Sequence, residues 1–247
     1  MRKVTSHRRM LVIFLFFLSS WNLAKSEVVI ANFQADYLAG TTAGQTRPQR
    51  SADGWNYMQN ASGSIGNSAN YTSLVWATGT SQYLPTSTGP SVPAVWFDAG
   101  KTKVHPGDGS VHSILAYTVQ AGEAGISRIA SSSIYVPGSS SNGITYSIFV
   151  DNTQIGTTTT LAKQTNGSFN VSLGSLSVGQ TVYVAVGNNG SAGSDTTEIN
   201  FQILSTVPEP GTLLLGGIAA ACGGGGVWWK RRRRPVVETK TEESPAN

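Results

Sequence analysis

Two histidines in the middle of the chain, His105 and His112, are the residues best suited to acid–base chemistry near neutral pH. A hydrolase triad would need one of them beside a serine and a carboxylate, but no Gly-x-Ser-x-Gly elbow marks a nucleophile in the sequence. Residues 106–109, Pro-Gly-Asp-Gly, are typical of a turn rather than of a catalytic loop. Without a third ligand nearby, the two histidines also make a poor zinc site.

Carboxylates are the second group that could do chemistry. The segment from Glu27 to Thr206 holds enough of them for a glycosidase, but no spacing singles out an acid/base pair. Asp195 and Glu198 could hold a structural calcium ion, which prefers oxygen ligands, or could lie in a solvated loop. We therefore predict no enzymatic activity, no catalytic residue, no metal site and no cofactor.

Aromatic residues are the third group, and they concentrate between Phe33 and Phe97 among Asn, Ser and Gly. Flat rings can stack on the C–H faces of sugars while amides and carboxylates bond the hydroxyls. The candidate glycan-stacking residues are Trp55, Tyr57, Tyr71, Trp76 and Trp96. The alternative is that these rings fill the core of a small domain.

The elements that would position these residues are β-strands. Apolar and polar residues alternate in several short runs that glycines separate, and Asp151-Asn152 forms a hairpin-type turn. The predicted strands are 114–119, 126–135, 145–150, 154–161, 169–173, 182–186 and 199–203. No segment shows a sustained helical stripe with caps. The pattern predicts an all-β fold, an antiparallel jelly-roll-like sandwich.

Charge argues against a nucleic-acid partner. The formal net charge of +4 comes from the two ends of the chain. The segment from Glu27 to Thr206 has six basic and nine acidic residues, so it is mildly acidic. A nucleic-acid footprint needs basic residues clustered on the folded part.

The N-terminus has the three parts of a secretory signal peptide: a basic start, the apolar run 10–18 and small residues before Glu27. The apolar run is too short to span a bilayer. The single cysteine, Cys222, lies near the other end, so the exported part is predicted to fold without a disulfide.

The C-terminus carries Pro208-Glu209-Pro210, then the uncharged stretch Gly211 to Trp229, then a basic run. We predict a weak, glycine-rich transmembrane helix over 211–229 with two tryptophans and a basic cluster at its cytoplasmic end. These membrane-flanking residues are Trp228, Trp229, Lys230, Arg231, Arg232, Arg233 and Arg234.

This order of a PEP motif, a short apolar helix and an arginine cluster resembles the PEP-CTERM sorting signal of Gram-negative-type bacteria. The resemblance implies that Pro208, Glu209 and Pro210 are recognised by exosortase, a membrane cysteine protease that cuts near the motif and passes the exported domain to the cell surface. The two prolines fit this role because they keep the segment extended. An ordinary single-span anchor that stays in place is the alternative.

The second half of the exported part resembles the β-sandwich domains of planctomycete-type surface proteins and, more loosely, jelly-roll carbohydrate-binding modules. Val150-Asp151 before the hairpin, residues 178–181 before a valine-rich strand and Asp195-Thr196-Thr197 before the last strand carry this resemblance. It spans about half the chain.

The sequence therefore predicts a signal peptide (1–26), an exported sandwich (27–206), a sorting signal (207–234) and a short cytoplasmic polar tail (235–247). We expect an envelope, cell-surface or extracellular protein that passes through a single-pass inner-membrane intermediate. Its expected partners are the exosortase-type protease, the membrane and extracellular polysaccharide. Its expected role is structural or glycan-associating, and a secreted polysaccharide-active hydrolase or lyase is the alternative.

Overall fold

The computed structural model describes residues 26–39, 53–61, 63–86 and 92–207. The predicted signal peptide, the sorting motif with its membrane-flanking residues, and the polar tail lie outside these residues, apart from positions 26 and 207. The described part from Ser26 to Val207 is one compact unit.

The described residues form fifteen β-strands, one α-helix and one short 3-10 turn at Ser68–Asn70. The helix, α1, spans Phe33–Ala39. The strands are β1 Ser26–Asn32, β2 Trp55–Asn60, β3 Tyr71–Ser73, β4 Val75–Ala77, β5 Gln82–Leu84, β6 Ala94–Asp98, β7 Lys101–His105, β8 Ser113–Thr118, β9 Gly125–Tyr135, β10 Ile144–Val150, β11 Thr153–Leu161, β12 Asn166–Gly167, β13 Val171–Leu176, β14 Thr181–Asn188 and β15 Thr197–Val207.

Within the described residues the strands make two sheets, and every pair is antiparallel. The large sheet has nine strands in the order β12, β9, β15, β7, β6, β5, β4, with β1 beside β15 and β13 beside β9. The small sheet has six strands in the order β11, β10, β14, β8, β2, β3. This confirms the predicted all-β antiparallel sandwich.

The core lies between the two sheets because alternate residues of each strand turn inward. On β15, Ile199, Phe201 and Ile203 are buried together with Val182 and Val184 of β14. The small sheet also buries side chains on its outer face, where Tyr71, Ile114, Ala116, Phe149, Tyr183 and Ala185 form a second cluster. This second layer explains why β14 is buried along nearly its whole length rather than at every other residue.

The predicted strands of the second half are all present. The run 169–173 is shifted, since the strand there spans Val171–Leu176 and Phe169 lies before it in the core. Asp151, in the predicted hairpin turn, has the left-handed φ of 52° that such turns require. The first half differs from its loop-rich sequence, because β2 to β7 and α1 are formed there.

Helix α1 is an element that the sequence pattern did not predict, because two turns are too short to show a helical stripe. Local capping holds it: Asn32 Oδ1 accepts from Ala35 N at 3.1 Å, and Asp36 Oδ2 accepts from Asn32 N at 2.7 Å. Its Phe33 ring stacks on Phe201 with centroids 5.6 Å apart. The helix lies beside β15 in the interval between residues 197–198, which pair with β7, and residues 202–207, which pair with β1.

Candidate functional site

Three of the five candidate glycan-stacking residues are core residues. Trp55 is 2% exposed and Tyr57 is 5% exposed, and both face the centre of the sandwich. Tyr71 is 8% exposed and packs edge-on against Tyr183 with centroids 5.2 Å apart. The prediction that these three rings stack on sugar is corrected, because a ring enclosed on both faces offers no surface to a glycan. Their burial matches the alternative interpretation as core.

The Trp55 indole also has a structural hydrogen bond. Its Nε1 donates to Asp36 Oδ2 at 2.9 Å, which joins β2 to the first turn of α1. The ring itself packs at 5.3 Å from Phe33 and 5.2 Å from Tyr117, centroid to centroid. The spacing of Trp55 and Tyr57, two residues apart on a strand, therefore marks the inner face of a strand and not an exposed platform.

The other two candidates, Trp76 and Trp96, are partly exposed but lie on opposite faces of the large sheet. Trp76 pairs with Tyr83, whose ring centroid is 5.1 Å away, on the face that turns toward the core. Trp96 pairs with Gln82 on the outer face. The two tryptophans cannot form one stacking surface. Trp96 is therefore the sequence candidate that lies partly exposed on the outer face of the large sheet.

A pocket of about 700 Å³ opens on the outer face of the large sheet, where β7, β15, β9 and β12 run side by side next to α1. The described residues that line it are mostly polar. They are Gln34, Gly100, Lys101, Thr102, Ser133, Ile134, Tyr135, Gln164, Asn166, Glu198, Ile199 and Asn200. The mixture of one aromatic ring with amides, hydroxyls, a carboxylate and an amine suits a polar ligand with many hydroxyl groups.

Hydrogen bonds fix the wall of the pocket next to α1. Gln34 Nε2 donates to Gly100 O at 3.1 Å, and Gln34 N donates to Asn200 Oδ1 at 3.1 Å. Lys101 Nζ lies 3.6 Å from Glu198 Oε2, with side chains that are 58% and 24% exposed. The charged groups of the pocket therefore neutralise each other and remain within reach of a ligand.

Tyr135 faces the pocket because β9 contains a β-bulge. Ser131 has a left-handed φ of 48°, and the pairing with β15 shifts by one residue between Asn200 and Gln202. Ile129 and Ile134 consequently both turn into the core, although they are five positions apart and would lie on opposite faces of a regular strand. In a regular strand Tyr135 would share the inner face with Ile129. Sequence reasoning missed Tyr135, since no alternation pattern reveals a bulge.

The two histidines lie away from the pocket lining. His105 Nδ1 is 2.7 Å from Pro106 O, and His112 Nδ1 is 2.8 Å from Ser110 O. Burial lowers the pKa of His112, which favours its neutral form. Each ring therefore has a local backbone partner at the edge of a turn, as a structural histidine does.

Asp195 and Glu198 do not converge. Asp195 is 0% exposed and accepts a hydrogen bond from Ser141 Oγ, whereas Glu198 faces the pocket. Asp195 therefore does not lie in a solvated loop, as the alternative interpretation expected. Its burial raises the pKa of its carboxyl group. Among the described residues, no group of three or more His, Cys, Asp or Glu side chains could hold a metal ion.

The predicted sorting residues Pro208, Glu209 and Pro210 and the membrane-flanking residues lie outside the described residues. Within the described ranges there is no helix long and apolar enough to cross a membrane.

The described part of the chain is thus an antiparallel β-sandwich with a polar outer-face pocket. The C-terminal segment matches a family of sorting signals: residues 206–234 fit the family model described as the PEP-CTERM protein-sorting motif. This match confirms the predicted motif, and it implies export and sorting to the cell surface. It covers a small part of the chain, so it identifies the sorting signal and not the exported domain.

Comparison with curated proteins found no match. Among solved structures, the chain is similar to a CBM51 module from Clostridium perfringens GH95 in complex with methyl-galactose, with 18% identity, 47% of this chain and 77% of that chain covered, and a TM-score of 0.32. It is similar to a family 35 carbohydrate-binding module from an environmental isolate, with 13% identity, coverage of 50% and 84%, and a TM-score of 0.29.

An arabinose-bound α-L-arabinofuranosidase, MgGH51, is also similar, with 13% identity, coverage of 64% and 24%, and a TM-score of 0.34. TM-scores this low carry no argument about the present chain. The assignment of the sandwich rests on its own strands and pairing.

Proposed function

We propose that this protein is an exported, exosortase-processed surface protein whose sandwich associates with extracellular glycan without cleaving it. The sorting part of the proposal is supported by the motif match over residues 206–234. The glycan part is carried by one observation, the neutral polar pocket in which Tyr135 stands beside amides and a salt-bridged carboxylate.

The pocket lining favours binding over hydrolysis. Glu198 is the one carboxylate among the described lining residues, and it is paired with Lys101. Glycoside hydrolysis generally uses two carboxyl groups that flank the scissile bond. A polysaccharide-active enzyme is therefore not the function that this site supports best.

Glycan association is tested on the full chain purified in detergent, by affinity electrophoresis through gels containing neutral glucans, mannans, xylans or galactans. We expect retardation by at least one of these polysaccharides without release of reducing ends. Tyr135→Ala should weaken the retardation about tenfold, in line with the loss of one well-placed ring. Tyr146→Ala is a useful control because Tyr146 is buried in the core, away from the pocket.

Release of reducing ends by the wild-type chain would overturn the non-enzymatic part of the proposal. Unchanged migration in every gel would overturn glycan association itself.

Processing is tested in the native host with an epitope placed after Asn247. We expect the wild-type chain to lose the epitope and to reach the surface, and Glu209→Gln to retain the epitope in the membrane fraction. Glu238→Gln lies outside the matched residues and serves as the control. Equal retention of the epitope by wild type and both variants would show that the tail is a permanent anchor.

A further inference from the structure

One row of paired residues crosses the outer face of the large sheet from edge to edge. Residues that pair directly in antiparallel strands project from the same face. Seven strands contribute one residue each. In order, the row is Ala77, Gln82, Trp96, Lys103, Glu198, Tyr135 and Asn166. Glu198, Tyr135 and Asn166 of this row line the pocket, and Trp96 is a partly exposed residue farther along the same face, whereas Ala77 at the far edge is buried.

The row holds two partly exposed aromatic rings, Trp96 on β6 and Tyr135 on β9. Strands β7 and β15 lie between them, so the rings are three strand spacings apart, about 14 Å at ~4.8 Å for each spacing. The Trp96 ring packs against Ala77, Leu84 and Ala94, which hold it in place on the outer face. Two rings at this separation are too far apart for one sugar unit and suit a chain of several.

The surface between the rings is polar and electrically balanced. Lys103 Nζ lies 2.9 Å from Asp98 Oδ2, and the Lys103 side chain is only 15% exposed. Glu198, the next residue in the row, pairs with Lys101. A polyanion needs an excess of cations on the surface that binds it. Because every cation here meets a carboxylate, the chemistry fits the hydroxyl groups of a neutral chain.

Sheet twist restricts the shape of that chain further. Neighbouring strands rotate by roughly 20–25°, so β6 and β9, which carry the two rings, are turned by about 60–75° relative to each other. The flat face of a crystalline glycan cannot lie on both rings at once, whereas a single soluble chain can follow the twist.

We propose that this row is an extended binding track for a neutral, soluble polysaccharide chain, with Tyr135 and Trp96 as two aromatic subsites. The proposal rests on the proposed glycan association and adds that recognition spans several sugar units within a chain rather than one unit at its end. Tyr135 supplies the first subsite within the pocket, and Trp96 extends the contact to longer ligands.

The test is calorimetric titration of the full chain in detergent. Oligosaccharides of increasing length are taken from whichever neutral polysaccharide retards the protein in the gels. The affinity should rise by more than tenfold once the oligosaccharide is long enough to reach from one ring to the other. Trp96→Ala should abolish this gain with length while leaving the affinity for short oligosaccharides unchanged. Tyr135→Ala should weaken short and long ligands alike.

Trp76→Ala is the matched control. It removes the same residue type from a strand close to β6 in the same sheet, but from the face that turns toward the core. It should lower the melting temperature without changing how affinity depends on length. Melting curves for all variants establish that the binding data come from folded protein.

The proposed track would be overturned if the affinity did not change with ligand length and depended on Tyr135 but not on Trp96. That result would leave the proposed glycan association intact. Strong binding to the crystalline polysaccharide would overturn the proposal that the ligand is a soluble chain. A steep loss of affinity with added salt would overturn the proposal that the ligand is neutral. Failure of every oligosaccharide and polysaccharide to bind would instead remove the proposed function on which the track rests.

Discussion

Replacement of Trp55 by alanine separates the two interpretations of the aromatic residues. Trp55 is 2% exposed, its ring touches the rings of Phe33, Tyr117 and Phe201, and its Nε1 donates to Asp36 Oδ2. The substitution deletes an entire buried ring from the middle of the sandwich and leaves a cavity against α1. We expect a large loss of stability and no direct effect on glycan binding.

The size of the effect follows from the burial. Truncation of a buried Trp to Ala costs about 3–5 kcal/mol of unfolding free energy, because transfer energy and cavity energy add. For a domain of this size, each kcal/mol lowers the melting temperature by roughly 2–4 °C, which gives a fall of about 6–20 °C. A typical domain has ~5–15 kcal/mol of stability, so the variant should remain folded at low temperature.

Denaturant unfolding and thermal melting of Trp55→Ala, beside wild type and Trp96→Ala, provide the measurement. Trp96→Ala should lose less stability, because its ring is only partly buried. The expectation for Trp55 is refuted by a melting temperature within a degree or two of wild type, or by a loss of glycan binding in protein that is otherwise as stable as wild type.

Two further predictions concern stability. Burial raises the pKa of the Asp195 carboxyl group above its ordinary value of 3.8. The folded protein therefore binds the carboxyl proton more tightly than the unfolded chain does. As a consequence, the contribution of Asp195 to stability falls as the pH rises through the pKa of the folded state. Denaturant unfolding from about pH 4 to about pH 7 should therefore show a steeper decline for wild type than for Asp195→Asn, and parallel profiles would contradict this. Gly54→Ala should destabilise the protein more than Gly156→Ala. Both glycines have a left-handed φ, +80° at Gly54 and +74° at Gly156. A Cβ atom at Gly54 would lie 2.6 Å from Thr118 O, whereas a Cβ atom at Gly156 would meet nothing within 4 Å. The strain shared by both is about 1–2 kcal/mol, so equal losses in thermal melting would show that the close contact with Thr118 is relieved at no cost.

Local pattern was sufficient for the second half of the chain. The runs that became β10, β14 and β15 have the period of two that predicts a strand. Of these three strands, only β15 is buried at every other residue, because β10 and β14 are covered on both faces. The hairpin turn at Asp151 is equally local. The ordered features at the C-terminus required no fold to be recognised, because a sorting signal acts as a linear segment of chain.

The first half was less predictable for physical reasons. Its strands are short: β3, β4 and β5 have three residues each, so no alternation can develop. Helix α1 has seven residues and is held by caps and by its packing on Phe201 rather than by an amphipathic stripe. The clustering of aromatic residues predicted either glycan stacking or core packing, but it did not show which rings contact sugar and which fill the core.

The sequence alone determined the sorting motif, the β character and the approximate strands, because these depend on composition, order and period. The tertiary structure decided which rings reach the surface. Trp55 and Trp96 have the same chemistry, but strand pairing places Trp55 on the inner face of the small sheet and Trp96 on the outer face of the large sheet. Tyr135 turns outward because a one-residue bulge reverses the alternation of β9, and that reversal exists only once β9 pairs with β15.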